Sequence, residues 1–294
     1  MNHASADKRN SSSEYGTGGT LFVVATPIGN LADMVPRATE ILQQADIIAA
    51  EDTRHSKRLL EHFHISTPML AYHDHNERQS LPAILKRLEQ GERVALISDA
   101  GTPLISDPGY RLVRAVREAG FRVVPIPGPS ALVAALSVAG LPSDRFAFEG
   151  FLPAKGGQRR KQLESLQRES RTLIFYEAPH RIVACLRDIA AVFGGTREVV
   201  LARELTKTFE TVIAASAAKL AVRVENDPNQ QKGEIVVLVR GVAAQTDLDV
   251  EAQRVMTILL RDLPLKQAAS LAAEITGAKK NALYQWGLRE VASR

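Results

Sequence analysis

One cysteine, one tryptophan and only 5% aromatic residues in a chain of 294 leave several kinds of protein out of consideration. Cys185 has no second thiol to pair with, so disulfide frameworks, zinc ribbons and iron-sulfur clusters are excluded, and a reducing, cytoplasmic setting is expected. The seven histidines form no HExxH and no Cys/His cage. His73 and His75 stand close together, as do His62 and His64, but neighbouring imidazoles are more often polar surface than ligands, and no metal is expected. GxxxxGK[ST] is missing, and no GxGxxG follows a strand; the one cluster of that kind, GTGG, falls at 16–19. A Rossmann-type dinucleotide site and the commonest methyltransferase signature are therefore absent. The longest uncharged run, 123–142, has three prolines among its first seven residues, which break it into strand, turn and short helix, so no membrane span is expected. Charge is not lopsided either. With 37 Lys and Arg against 33 Asp and Glu, the net +4 permits a polyanionic partner without demanding one.

What is present is an alternation of two textures. After a polar, Ser- and Gly-rich leader over 1–19, the apolar runs LFVVAT, DIIAA, MLAYH, RVALIS and RVVPI read as strands. Between them lie the helical patterns PRATEILQQ, HSKRLLEHF, QSLPAILKRLEQ and GYRLVRAVREAG. Short apolar strands spaced by helices predict a parallel sheet covered on both faces, the first α/β domain, over 20–132. FAFEGF, TLIFYEA, EVVLARE, TVIAA and EIVVLV make a second α/β domain over 133–243, with helices from 156, 179 and 216. Within it, the runs TFETVIAA and GEIVVLV are expected to pair antiparallel. Three further helical segments over 247–294, broken by Pro264 and Gly277, predict a small helix-turn-helix-like domain whose core holds Leu283, Trp286 and Val291.

The strand ends carry the chemistry. In open parallel sheets, ligands bind where loops diverge from the carboxyl ends of the strands. SDAGTPLISDPG, 98–109, occupies such an end: Gly101 and Gly109 allow close backbone approach, while Pro103 and Pro108 remove freedom. Asp99 is read as a ligand group, and Asp107, just before a proline and a helix, as a cap. VATPIGN, PIPGPSA and FYEAPHR end other strands in the same style. Four such turns at equivalent ends of two sheets point to a shared cleft.

With EDTRHSKRLL, IPGPSALVAAL and GEIVVLV added in this order and spacing, these segments resemble the tetrapyrrole methylase superfamily over residues 20–294. Within it they are most similar to the branch that uses S-adenosylmethionine to methylate the 2′-hydroxyl of a cytidine in the decoding region of 16S rRNA. The resemblance implies two α/β/α domains, a cofactor folded into the cleft between them, and a homodimer. It assigns Asp99, Ala100, Gly101 and Thr102 to a cofactor loop continued by Pro103 and Leu104. Pro27 and Ile28 stand at the first turn, where the wider superfamily is glycine-rich. Ser130 and Ala131 match the turn whose helix start offers N–H groups to the cofactor. Tyr176, Glu177, Gly233 and Glu234 match contacts from the second domain.

Methyl transfer from a sulfonium asks the protein chiefly to orient the acceptor oxygen, with a base to help a protonated hydroxyl. Glu51 and Asp52 are the candidates to orient or deprotonate it, with Arg54 on an adjacent phosphate and His55 and Arg58 near by. The plain alternative is a capped helix with its cations in water. Lys155, Arg159, Arg160 and Lys161 form a basic loop and helix start suited to RNA phosphates, with Arg145, Arg181 and Lys207 as further members. In the tail, Lys279 and Lys280 are candidates too. Two other functions fit the same chain: methylation of a small tetrapyrrole, and a non-catalytic RNA-binding or assembly factor.

Overall fold

A computed structural model describes residues 19–242 and 250–292, so the leader expected over 1–19 lies outside the described residues except for Gly19, which is buried. The chain divides into one compact unit ending at Gly241 and another beginning at Val242.

The first unit contains two five-stranded sheets. Strands β1 (Thr20–Val24), β2 (Ile47–Ala50), β3 (Met69–Ala71), β4 (Arg93–Ile97) and β5 (Arg122–Ile126) are all parallel, in the order β3-β2-β4-β1-β5. Their alternating side chains feed two cores. Phe22, Val24, Ile48 and Ile97 pack on α1 (Pro36–Gln44) and α2 (Thr53–His62). Leu21, Ile47, Val94 and Leu96 pack on α3 (Glu77–Glu89) and α4 (Tyr110–Glu118). Because β1 lies between β4 and β5, the loops after these three strands emerge side by side.

The second sheet is mixed: β6 (Phe146–Phe151), β7 (Thr172–Glu177), β8 (Glu198–Arg203), β9 (Thr211–Ser216) and β10 (Ile235–Val239), in the order β6-β7-β10-β8-β9. The expected pairing of the last two runs is corrected here. Strand β9 pairs with β8, while β10 inserts antiparallel between β7 and β8. All five β10 residues are buried, as a central strand requires, whereas β9 alternates with exposed positions and suits the edge. One face is covered by α6 (Gly156–Ser165), α7 (Ile182–Phe193) and α8 (Ala217–Asn226). The other is covered by α5 (Ala131–Val138), whose Leu132 and Ala135 sit against Ile174, Val200 and Leu238. The expected domain boundary at 132/133 thus falls inside a helix that follows the first sheet in sequence and packs on the second.

The second unit is three helices, α9 (Val250–Leu259), α10 (Leu265–Thr276) and α11 (Lys280–Ala292). Met256, Ala268, Ala269, Ala272 and Leu283 form its core, with Trp286 packed against them. Gly277 ends α10 at φ 72°, a left-handed cap that a side chain would strain. The Val291 side chain lies outside the described residues. No helix among the described residues is long and apolar enough to cross a membrane.

Candidate active site

Adjacent strand ends are sewn together by the backbone. Thr26 N–H donates to the Gly101 carbonyl at 2.9 Å and Gly101 N–H to the Thr26 carbonyl at 3.0 Å. Thr102 Oγ1 donates to the Pro129 carbonyl at 3.0 Å, joining the loop after β4 to the loop after β5. Asp99 Oδ1 accepts from Asp52 N–H at 3.0 Å, which ties in the loop after β2. The loop after β4 is also strained: Leu104 (φ 74°) and Ser106 (φ 66°) hold left-handed conformations that cost about 1–3 kcal/mol each.

These loops face the second sheet across a cleft of about 300 Å³. Of the expected cofactor residues, Ile28, Ala100, Gly101, Thr102, Ser130 and Ala131 line it from one side, and Tyr176, Glu177, Gly233 and Glu234 from the other. Four do not. Pro27 and Pro103 are buried behind the lining, and Leu104 turns into the first sheet's core, against Gly109. Asp99 spends its carboxylate on the Asp52 N–H, so it organises the loops from behind the lining.

Two lining residues act differently from expectation. Tyr176 Oη accepts from Leu132 N–H at 3.2 Å, so a first-turn donor of α5 is already occupied by protein. Glu177 turns its carboxylate inward, where Oε1 accepts from Ala178 N–H at 2.8 Å and pairs with Arg181 at 2.6 Å. Arg181 is thereby removed from the RNA surface expected of it. Lys207 is removed likewise: Nζ donates to Glu204 at 2.8 Å and to Glu234 at 2.9 Å, while its stem lies across Gly29.

Acidic groups gather beside the cleft. Asp107, expected as a helix cap, lines the cleft instead; α4 is capped by Gly109 at φ 129°, with no side-chain cap bond. Burial and the nearby Asp99 and Asp74 push the Asp107 carboxyl up to about 6 against a bond to Ser98. Burial, then Asp107 and Asp99, raise Glu51 to about 7. Asp52 takes the opposite course. Its Oδ1 accepts from the backbone N–H of Arg54 at 2.8 Å and of His55 at 3.4 Å, capping α2, and those bonds hold its carboxyl below the ordinary value. The catalytic role expected of Asp52 is therefore corrected to a structural one. The Arg54 side chain, 92% exposed, shares Asp52 Oδ2 at 3.4 Å, and His55 and Arg58 are exposed on the same helix.

Within the basic loop, Lys155 and Lys161 are exposed, but Arg159 is not a phosphate ligand. Its side chain is 5% exposed and its Nε and Nη2 both reach Asp188 Oδ2 at 2.7 Å. Arg160, half-exposed, shares the other Asp188 oxygen at 3.2 Å. Lys279 and Lys280 are exposed at the start of α11, where Lys280 Nζ reaches Ser270 at 3.1 Å.

Two observations test whether this cleft suits an adenosyl sulfonium. Walls from Ile28, Ala202, Leu205 and Val236 are apolar enough for a nucleoside, while Asp107 supplies negative charge for a cation. Gly101, at φ 83°, brings the backbone close: a Cβ there would sit 3.3 Å from Ile28 Cγ2. The residues present fit the group. Gly101→Ala is expected to weaken S-adenosylmethionine binding by roughly tenfold through backbone strain of about 1–2 kcal/mol, readable by titration calorimetry.

A parallel sheet whose sewn strand-end loops face a mixed sheet across such a cleft defines a class. Uroporphyrin-III-C-methyltransferase from Thermus thermophilus superposes with a TM-score of 0.55 at 18% identity, covering 76% of this chain and 94% of its own. A diphthine synthase gives 0.56 at 15%, covering 76% and 90%. Residues 20–221 match the tetrapyrrole (corrin/porphyrin) methylases, and the chain belongs to that family, which is S-adenosylmethionine-dependent. Residues 246–290 match the RsmI C-terminal HTH domain. At higher resemblance, the chain is 60% identical over 274 residues to ribosomal RNA small subunit methyltransferase I of Pseudomonas aeruginosa, covering 92% of this chain and 97% of the relative. The Vibrio cholerae protein of the same name is 55% identical over 273 residues, covering 92% and 95%.

Proposed function

We propose that this protein transfers a methyl group from S-adenosylmethionine to the 2′-hydroxyl of a cytidine in the decoding region of 16S rRNA. The observation that carries the reading is Asp107, which belongs both to the cleft and to the acidic group around Glu51. Bound S-adenosylmethionine supplies an electrophilic methyl on a sulfonium. The chain does the rest: the sewn loops hold the donor still, and Asp107 accepts the hydroxyl proton, its carboxyl kept basic by burial and by the nearby Asp99 and Asp74. Arg54, His55, Arg58, Lys155 and Lys161 supply exposed cationic or polar groups for RNA phosphates, and Lys279 and Lys280 do so from the helical unit.

An RNA acceptor places the protein in the cytoplasm, acting on the small ribosomal subunit. Val133 and Val138, exposed on α5, support a homodimer by offering it an apolar surface. Methylation of a small tetrapyrrole remains the second reading; the family is named for it, but a helix-turn-helix unit has no task there. Purified protein with tritiated methyl donor should label 30S subunits from a strain lacking it, on the ribose of one cytidine by nucleoside mass spectrometry. Label on a precorrin in place of RNA, or donor binding with no transfer to RNA, sinks the proposal.

A further inference from the structure

Strand β6 breaks register with β7 between Phe148 and Phe151, and Gly150 in the break has φ 64°. Bulges of this kind re-aim a side chain beside active sites. Here the result is that Phe151 lines the cleft while staying 54% exposed, its ring 5.7 Å from that of Tyr176, which also contacts Phe148 at 4.8 Å. A Cβ on Gly150 would lie 3.7 Å from Ser106 Oγ, so the bulge approaches the loop that carries Asp107.

We propose that Phe151 forms a nucleobase subsite at the cleft mouth, stacking the base of the acceptor nucleotide; this rests on the RNA-methylation reading above. An aromatic ring left in water at a site's rim is an unsatisfied apolar face, and unstacked RNA bases are read by such faces. The occupant is argued from position. The buried walls at Ile28, Leu205 and Val236 already provide the dry surface an adenosyl group needs. Phe151 is half in solvent and meets what arrives from outside. A ribose 2′-oxygen is two bonds from the carbon that bears the base, so the group that holds the hydroxyl and the platform that holds the base must be neighbours. Asp107 and Phe151 line the same cleft. Tyr176 backs the ring edge-on and is itself fixed by Leu132, which keeps the platform from collapsing inward.

The test uses full-length F151A, F151L and F151W with 30S subunits. Alanine should raise KM for the subunit roughly 5- to 150-fold, leucine should fall between, and tryptophan should restore it. The calorimetric Kd for S-adenosylmethionine should stay within twofold in all three, which also shows that the variants are folded. Wild-type transfer with an unchanged KM in F151A overturns the subsite alone. A tenfold loss of cofactor affinity with KM intact overturns it too, by placing the ring on the cofactor. No transfer by the wild-type protein overturns the subsite together with the functional reading.

Discussion

Asp107→Asn is expected to lower kcat for methyl transfer by about 10²–10⁴-fold while leaving S-adenosylmethionine affinity within a few fold, because a positioned base contributes on that scale. Asparagine keeps the shape and the bond to Ser98 but holds no extra proton. With Asp107 raised to about 6, wild-type kcat should climb tenfold per pH unit below 6 and flatten above it, a limb that the variant loses. Glu51→Gln should leave that limb near 6, because Glu51 is itself largely protonated over that range. Its effect on stability has a defined sign. Glu51 titrates at about 7 in the fold against an ordinary 4.5, so the fold favours its protonated form, and that stabilisation fades as pH rises through 7. Glu51→Gln should therefore melt higher than wild type at pH 8 and no higher at pH 4, by scanning calorimetry. A kcat for Asp107→Asn within threefold of wild type would mean that positioning alone suffices.

Arg159→Ala should cost about 3–5 kcal/mol, since it leaves the buried Asp188 with only the half-exposed Arg160 on its other oxygen. In a unit of this size that corresponds to a melting temperature lower by roughly 6–20 °C. Arg159→Met with Asp188→Leu removes both charges and should recover most of the loss. Neither change should alter KM for 30S subunits in the folded protein. Lys155→Ala with Lys161→Ala should do the reverse, weakening RNA binding and flattening its salt dependence with little change in melting. If Arg159→Ala melts normally and binds RNA poorly, the arginine is a phosphate ligand after all.

Much of this architecture can be read from residues alone, because strand period, helix period and Gly-Pro loops are local signals. All ten apolar runs became strands, and all four strand-end turns supply cleft lining where the alternation placed them. What stayed hidden depends on partners far along the chain. Arg159 looks like a surface cation until α7 brings Asp188 to it across 28 residues of intervening chain. Asp107 before Pro108 has the look of a cap, and only the conformation of Gly109 shows that the helix begins later. Phe151 reads as an ordinary strand residue, since a register break is written in pairing rather than in composition. The placement of β10 was missed for the same reason: five apolar residues say buried, not beside which neighbours. Leu104 was misplaced within a correctly chosen loop, because its φ of 74° turns the side chain away from the cleft.

The helix over Ala131–Val138 has a consequence for how the protein is made. It is apolar along nearly its whole length, and it is synthesised before the sheet it covers. The central strand beneath it, Ile235–Val239, leaves the ribosome roughly 100 residues later, about 5–20 s at ordinary elongation rates. Through that interval the nascent chain carries a greasy eight-residue segment, too short to hold a helix by itself and with no surface to rest on, a natural target for a ribosome-bound chaperone.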